Sequence, residues 1–163
     1  MNGATVGLMF VSAFIVGCGP APEKPIKGPA SQISPGPKGV TLASPDPASE
    51  KLSLIRVLAD PAAVDKRPVV VIGYLHLEFE GQRLCLHRED VENNILTNCV
   101  WIDVPQTGGV LALNERYVVV EGIIRAGSGG HLGSYQASLG EIRRIDPMPN
   151  RAEMNRLLRG AAQ

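Results

Sequence analysis

From Val69 to Glu80 the side chains alternate. Val69, Val71, Gly73, Leu75, Leu77 and Phe79 share one face, and Val70, Ile72, Tyr74, His76, Glu78 and Glu80 share the other. A sustained period of two fits a strand and excludes a helix. Because both faces begin apolar, the strand is expected to be covered on both sides at its start and on one side at its end. Gly73 predicts a bulge or sharp bend, and Glu80-Gly81-Gln82 a tight hairpin turn. Shorter strand patterns follow at Leu84 to His87, Cys99 to Val104, Tyr117 to Ile124 and Leu139 to Ile145. Between them lie a polar loop from Arg88 to Asn98 and a glycine-rich loop from Gly127 to Gly133. Helical spacing frames the strands. Ser49 to Leu58 reads as a helix capped by Ser49 and ended by Asp60-Pro61, with a short turn through Ala62 to Val64. Arg151 to Arg159 reads as a short helix with Met154, Leu157 and Leu158 on one side. The fold class is therefore mainly β. Another small barrel or half of a β-sandwich has the same periodicity.

What precedes the strands does not look like core. Between Gly19 and Pro47 lie 8 of the 13 prolines of the 163-residue chain. A stretch so poor in large apolar groups cannot offset the entropy of ordering it. It reads as a semi-extended spacer of about 3 Å per residue where polyproline-like. Before it, Ala4 to Val16 is uncharged and mainly apolar, too short for the roughly 20 residues of a membrane-spanning helix. An apolar stretch of this kind followed by small residues reads as a secretory leader. Its ending, Ile15-Val16-Gly17-Cys18, resembles the lipobox of bacterial lipoproteins. The resemblance implies that residues 1–17 are removed as a signal peptide and that Cys18 carries the lipid, so that the membrane is one partner. Gly19 in place of Asp leans toward an outer membrane. The domain plan is a signal peptide at 1–17, a tether at 18–47 and a folded domain at 48–163.

The order of one helix, five strands and a short last helix resembles an OB-fold. Leu54-x-x-Val57-Leu58-Ala59-Asp60-Pro61, Val69-Val70-Val71-Ile72-Gly73-Tyr74 and Gly130-His131-Leu132-Gly133 are similar to small OB-like domains in uncharacterised bacterial envelope proteins. The resemblance implies a five-stranded OB-like barrel, and binding on the face of its second and third strands. Equal numbers of basic and acidic residues, 16 each, and 4% aromatics argue against nucleic acid as the ligand. A protein, peptide or glycan remains the expected partner of a non-catalytic, lipid-anchored envelope module with no cofactor.

Cys85 and Cys99 lie on matching faces, and a register pairing them also sets Leu84 against Val100. A cross-strand disulfide is then feasible, with two unlinked thiols as the alternative. Tyr74, Arg83 and Trp101 fall on the outward face as candidate binding groups. Trp101 would alternatively pack under the last helix. His131, among glycines able to wrap a ligand, completes the candidate binding set. His76, His87 and His131 are the groups a metal-binding or enzymatic alternative would use. They lack metal-ligand spacing, and no orienting acid or nucleophile elbow accompanies Ser128 or Ser134. No metal is therefore expected.

Overall fold

A computed structural model describes residues 36–160 of the chain. The leader, Cys18 and most of the proposed tether lie outside the described residues. Among the described residues seven strands form one mixed sheet: β1 (Val40–Thr41), β2 (Glu50–Lys51), β3 (Pro68–His76), β4 (Arg83–Cys85), β5 (Cys99–Ile102), β6 (Arg116–Gly129) and β7 (Tyr135–Pro147). The helices are few and short: α1 (Leu54–Ala59), α2 (Arg88–Glu92), α3 (Gly108–Leu111) and α4 (Arg151–Gly160). Single turns of 3-10 helix occur at Ala62–Val64, Leu96–Asn98 and His131–Gly133. The fold is mainly β, as the alternating pattern predicts.

β3 is the organising strand. It pairs antiparallel with β4 on one edge and with β6 on the other. β4 continues antiparallel to β5, and β5 lies parallel to β7, placing Trp101 beside Ser138 and Ile102 beside Leu139. β6 and β7 form a long antiparallel pair with register shifts at Glu121/Ile123 and Ala126/Gly129. Residues of the apolar stripe, among them Val69, Val71 and Leu75, pack with Leu84, Val100 and Ile102 into the main core, closed by Leu54 and Val57 of α1.

Several local expectations are corrected. The pairing runs through Gly73 without a register shift, so no bulge lies there. A Cβ at Gly73 would instead stand 2.7 Å from Leu84 Cγ and 2.9 Å from the Cys85 carbonyl, so glycine allows β4 to approach closely. The first helix starts later than its apolar spacing suggests. Ser53, not Ser49, accepts the Ile55 N–H at 3.3 Å, while Glu50–Lys51 extends alongside β3 as parallel β2. Arg88 to Asn98 holds α2 and a 3-10 turn rather than a loop, and the glycine-rich loop shrinks because β6 continues to Gly129. Within the stretch read as tether, Val40–Thr41 pairs with Ile145 and Arg144 of β7.

Candidate functional site

The end of β3 determines which side chains reach the surface. Leu77 has no strand partner; the Asn114 side chain takes that place, accepting the Leu77 N–H at 2.7 Å and donating to its carbonyl at 3.2 Å. The chain then turns, with the Gly81 N–H donating to the Glu78 carbonyl at 3.2 Å and Glu80 in the left-handed region. Phe79, expected on the core face, is carried out of the sheet and is 89% exposed. Beyond the turn, Cys85 and Cys99 oppose each other across β4 and β5 and are joined by a disulfide, with Leu84 opposite Val100 as expected.

That disulfide is buried and anchors a small second core. Tyr135 packs on it from β7, with Val91, Leu96 and Trp101 around it. Trp101 is half-buried, its ring centroid 5.8 Å from that of Tyr135. It is therefore neither fully outward nor free. The connection from β6 to β7 lies against it: a Cβ on Gly130 would stand 2.5 Å from Trp101 Cε3 and 2.8 Å from Tyr135 Cδ2. Two residues on, Leu132 is 90% exposed. Phe79, Glu80, Gln82, Trp101 and Gln106 line a groove of about 430 Å³. Within it the Gln82 amide, oriented with its nitrogen toward β5, donates to the carbonyls of Ile102 and Val104. Glu80 and Gln106 are exposed polar groups at its rim.

The other two outward candidates are buried. Tyr74 is 5% exposed and Arg83 8%. They belong to a polar network beside β3, which is why the period-two face did not leave them in water. The Tyr74 hydroxyl donates to Glu115 Oε2 at 2.8 Å, and His76 Nδ1 bonds the other oxygen of Glu115. His76 Nε2 lies 3.4 Å from Glu78, which also meets Arg83 at 3.3 Å. Burial, with Glu115 as hydrogen-bond partner, pushes the Tyr74 hydroxyl from 10.0 up to about 12. Burial also raises the Glu115 carboxyl, but the hydrogen bonds from His76 and Tyr74 outweigh it and hold Glu115 below its ordinary 4.5.

The remaining histidines lie apart from this network. His87 precedes α2, and its N–H donates to Asp90 at 2.7 Å. His131 opens the 3-10 turn that carries Leu132. Among the described residues no group of three or more His, Cys, Asp or Glu is placed to hold a metal ion. No described helix is long and apolar enough to cross a membrane. The chain matches no family model, no curated protein and no solved structure.

Of the four candidate binding residues, then, Trp101 and the loop of His131 share one surface, while Tyr74 and Arg83 are withdrawn from it. Phe79, Leu132 and Glu115 were not singled out in the sequence. For Phe79 the signal was available, since it stands immediately before a Glu-Gly turn where a strand must end. Glu115 has no such mark: it meets β3 only through the long β3–β6 pairing.

Proposed function

We propose that this chain is a lipid-anchored envelope protein whose folded part is an OB-like five-stranded barrel acting as a non-catalytic binding module. The sequential pairing of β3 with β4, β4 with β5, β5 with β7, β7 with β6 and β6 with β3 supports the barrel reading, including its one parallel contact. In such barrels the loops after the first strand and before the last flank the binding face. The observation that carries the binding proposal is the exposure of Phe79 and Leu132, at 89% and 90%, on those two loops beside Trp101. Large apolar groups so fully in water, on two loops that each border Trp101, are the usual anchors of a contact.

The chemistry of the groove, two aromatic rings with a carboxylate and an amide at the rim, suits a peptide, protein or glycan. The reading is tested by using the full chain as bait in envelope extract beside Phe79→Ser/Leu132→Ser. The wild-type chain is expected to retain a ligand that the double variant loses; identical retention would remove the proposed surface. The anchoring part is tested separately. Cys18→Ser is expected to leave the membrane fraction, since acyl chains contribute about 0.8 kcal/mol per buried methylene. Continued partitioning and processing of that variant would reject the lipobox.

A further inference from the structure

His76 has a carboxylate at each ring nitrogen. Nδ1 bonds Glu115, and Nε2 lies 3.4 Å from Glu78. Nε2 is shut off from water yet has no hydrogen-bond partner among the described residues, so its contact with Glu78 is one of charge alone. The two carboxylates are held differently. Glu115 is fixed, because its other oxygen accepts the Tyr74 hydroxyl at 2.8 Å. An ionised carboxylate can only accept, so the ring's first proton sits on Nδ1. A neutral ring then turns a bare lone pair at Nε2 toward Glu78, acceptor against acceptor. The imidazolium puts an N–H there instead. One proton therefore changes this contact from repulsive to attractive, and imidazole gains that proton between about pH 8 and pH 5.

Glu78 carries the effect to the surface. It opens the turn between β3 and β4, where its carbonyl accepts the Gly81 N–H at 3.2 Å. Its side chain folds back over the same turn, so closely that a Cβ on Gly81 would stand 2.4 Å from Glu78 Cγ. Phe79 and Glu80, between them, have no hydrogen bond or ion pair among the described residues. Past the Asn114 clamp on Leu77, the turn is thus fastened by the Gly81 bond and by the Glu78 carboxylate.

We infer that His76 is a proton-operated latch on the turn that carries Phe79. Protonated, it holds Glu78 and steadies the turn; neutral, it releases Glu78 and leaves the turn free to move. The other charges near the ring do not share this role. Arg83, opposite His76 on β4, meets Glu78 at 3.3 Å and stays charged throughout, so the released turn loosens without unfolding. Arg116 of β6 turns to Glu153 at 3.7 Å, Arg88 and Glu92 of α2 pair with each other at 2.7 Å, and Glu80 is exposed. Only the consequence for binding rests on Phe79 being an anchor; the latch itself needs no ligand.

The test follows the full chain by NMR from about pH 5 to pH 8, the range of imidazole. The amides of residues 78–81 are expected to shift with the midpoint of the His76 ring. The exchange protection of the Gly81 N–H, corrected for intrinsic rate, is expected to fall about two- to fivefold across that midpoint, the size of a partly exposed ion pair. Glu78→Gln is expected to abolish both effects while His76 still titrates, because an amide can turn its oxygen or its nitrogen to either form of the ring. His76→Gln is expected to abolish them too. A turn indifferent to pH while His76 titrates, or one that follows the midpoint of His87, would overturn the latch. So would an unchanged response in Glu78→Gln, or a His76 ring that does not titrate in this range. Retention of a ligand by Phe79 is a separate measurement, and its failure would leave these results standing.

Discussion

Gly130 has a backbone φ of +71° and no space for a methyl group, since the rings of Trp101 and Tyr135 occupy it. Both conditions penalise any side chain, the first by about 1–3 kcal/mol and the second by a similar amount. Gly130→Ala is therefore expected to lower unfolding stability by at least about 2 kcal/mol and to lift the loop from Trp101, read as a urea midpoint and a red shift of Trp emission. An unchanged midpoint would mean the loop does not press on the ring. The Tyr74–Glu115 pair makes a pH prediction. Tyr74 holds its proton more tightly folded than unfolded, so its contribution is complete below pH 10 and is lost as pH rises from 10 to about 12. Glu115 has a lowered folded value, so its contribution is complete above its ordinary 4.5 and is lost as pH falls below it. Tyr74→Phe is expected to cost about 1 kcal/mol at neutral pH and to flatten the decline of the urea midpoint above pH 10. A decline as steep as in the wild type would separate Tyr74 from the pH dependence. Single residues such as these were the least legible part of the sequence. Tyr74 and Arg83 sit on the outward face by alternation, yet Glu115 closes over that face from just before β6 and Glu78 from the turn that follows β3.

Among the elements, the β4–β5 pair depends on its covalent link. β4 has three residues and β5 four, too few for a hairpin to hold alone, and the disulfide closes a separation of 14 residues between them. Cys85→Ala/Cys99→Ala is expected to cost about 3 kcal/mol, read as an unfolding midpoint, while masses before and after reduction differ by two hydrogens. Equal midpoints would assign the stability to the Tyr135 packing alone. This register was legible because two constraints agreed: cysteines on matching faces, and Leu84 facing Val100. The helix between the two strands was not legible. Asp90 accepts the His87 N–H and an Asn98 side-chain N–H, both at 2.7 Å, so His87-x-x-Asp90 does the work usually assigned to Ser-x-x-Glu. α3 begins with Gly108-Gly109, residues that disfavour helix, and exists because Val110 and Leu113 reach the core. Propensity yields there to burial.

At the scale of the molecule, the chain just before α1 is fastened to the sheet by a buried carboxylate. Glu121, 3% exposed in β6, accepts the Asp46 N–H at 2.6 Å and the Ser49 hydroxyl at 3.0 Å. Glu121→Ala is expected to speed hydrogen exchange at Asp46, Leu42 and Ala43 while leaving β3 protected; uniform loss of protection would make Glu121 part of the core rather than a fastening. Proline density drew the expected tether boundary too late, because Val40 and Thr41 pair with β7, a contact distant in sequence. The same holds for the parallel β5–β7 contact: alternation marks strands but does not say which distant strands meet. The five strands marked by alternation and both terminal helices were readable in order, whereas the network around Tyr74 and the surface around Trp101 depend on contacts between remote segments. The loops carrying Phe79 and Leu132 are the proposed contact surface. Site-specific photo-crosslinkers at positions 79 and 132, with the exposed β3 residue Ile72 as control, test it directly in envelope extract. Adducts common to 79 and 132 and absent at 72 are the predicted result. No adduct at either loop, or the same adducts at 72, would contradict it.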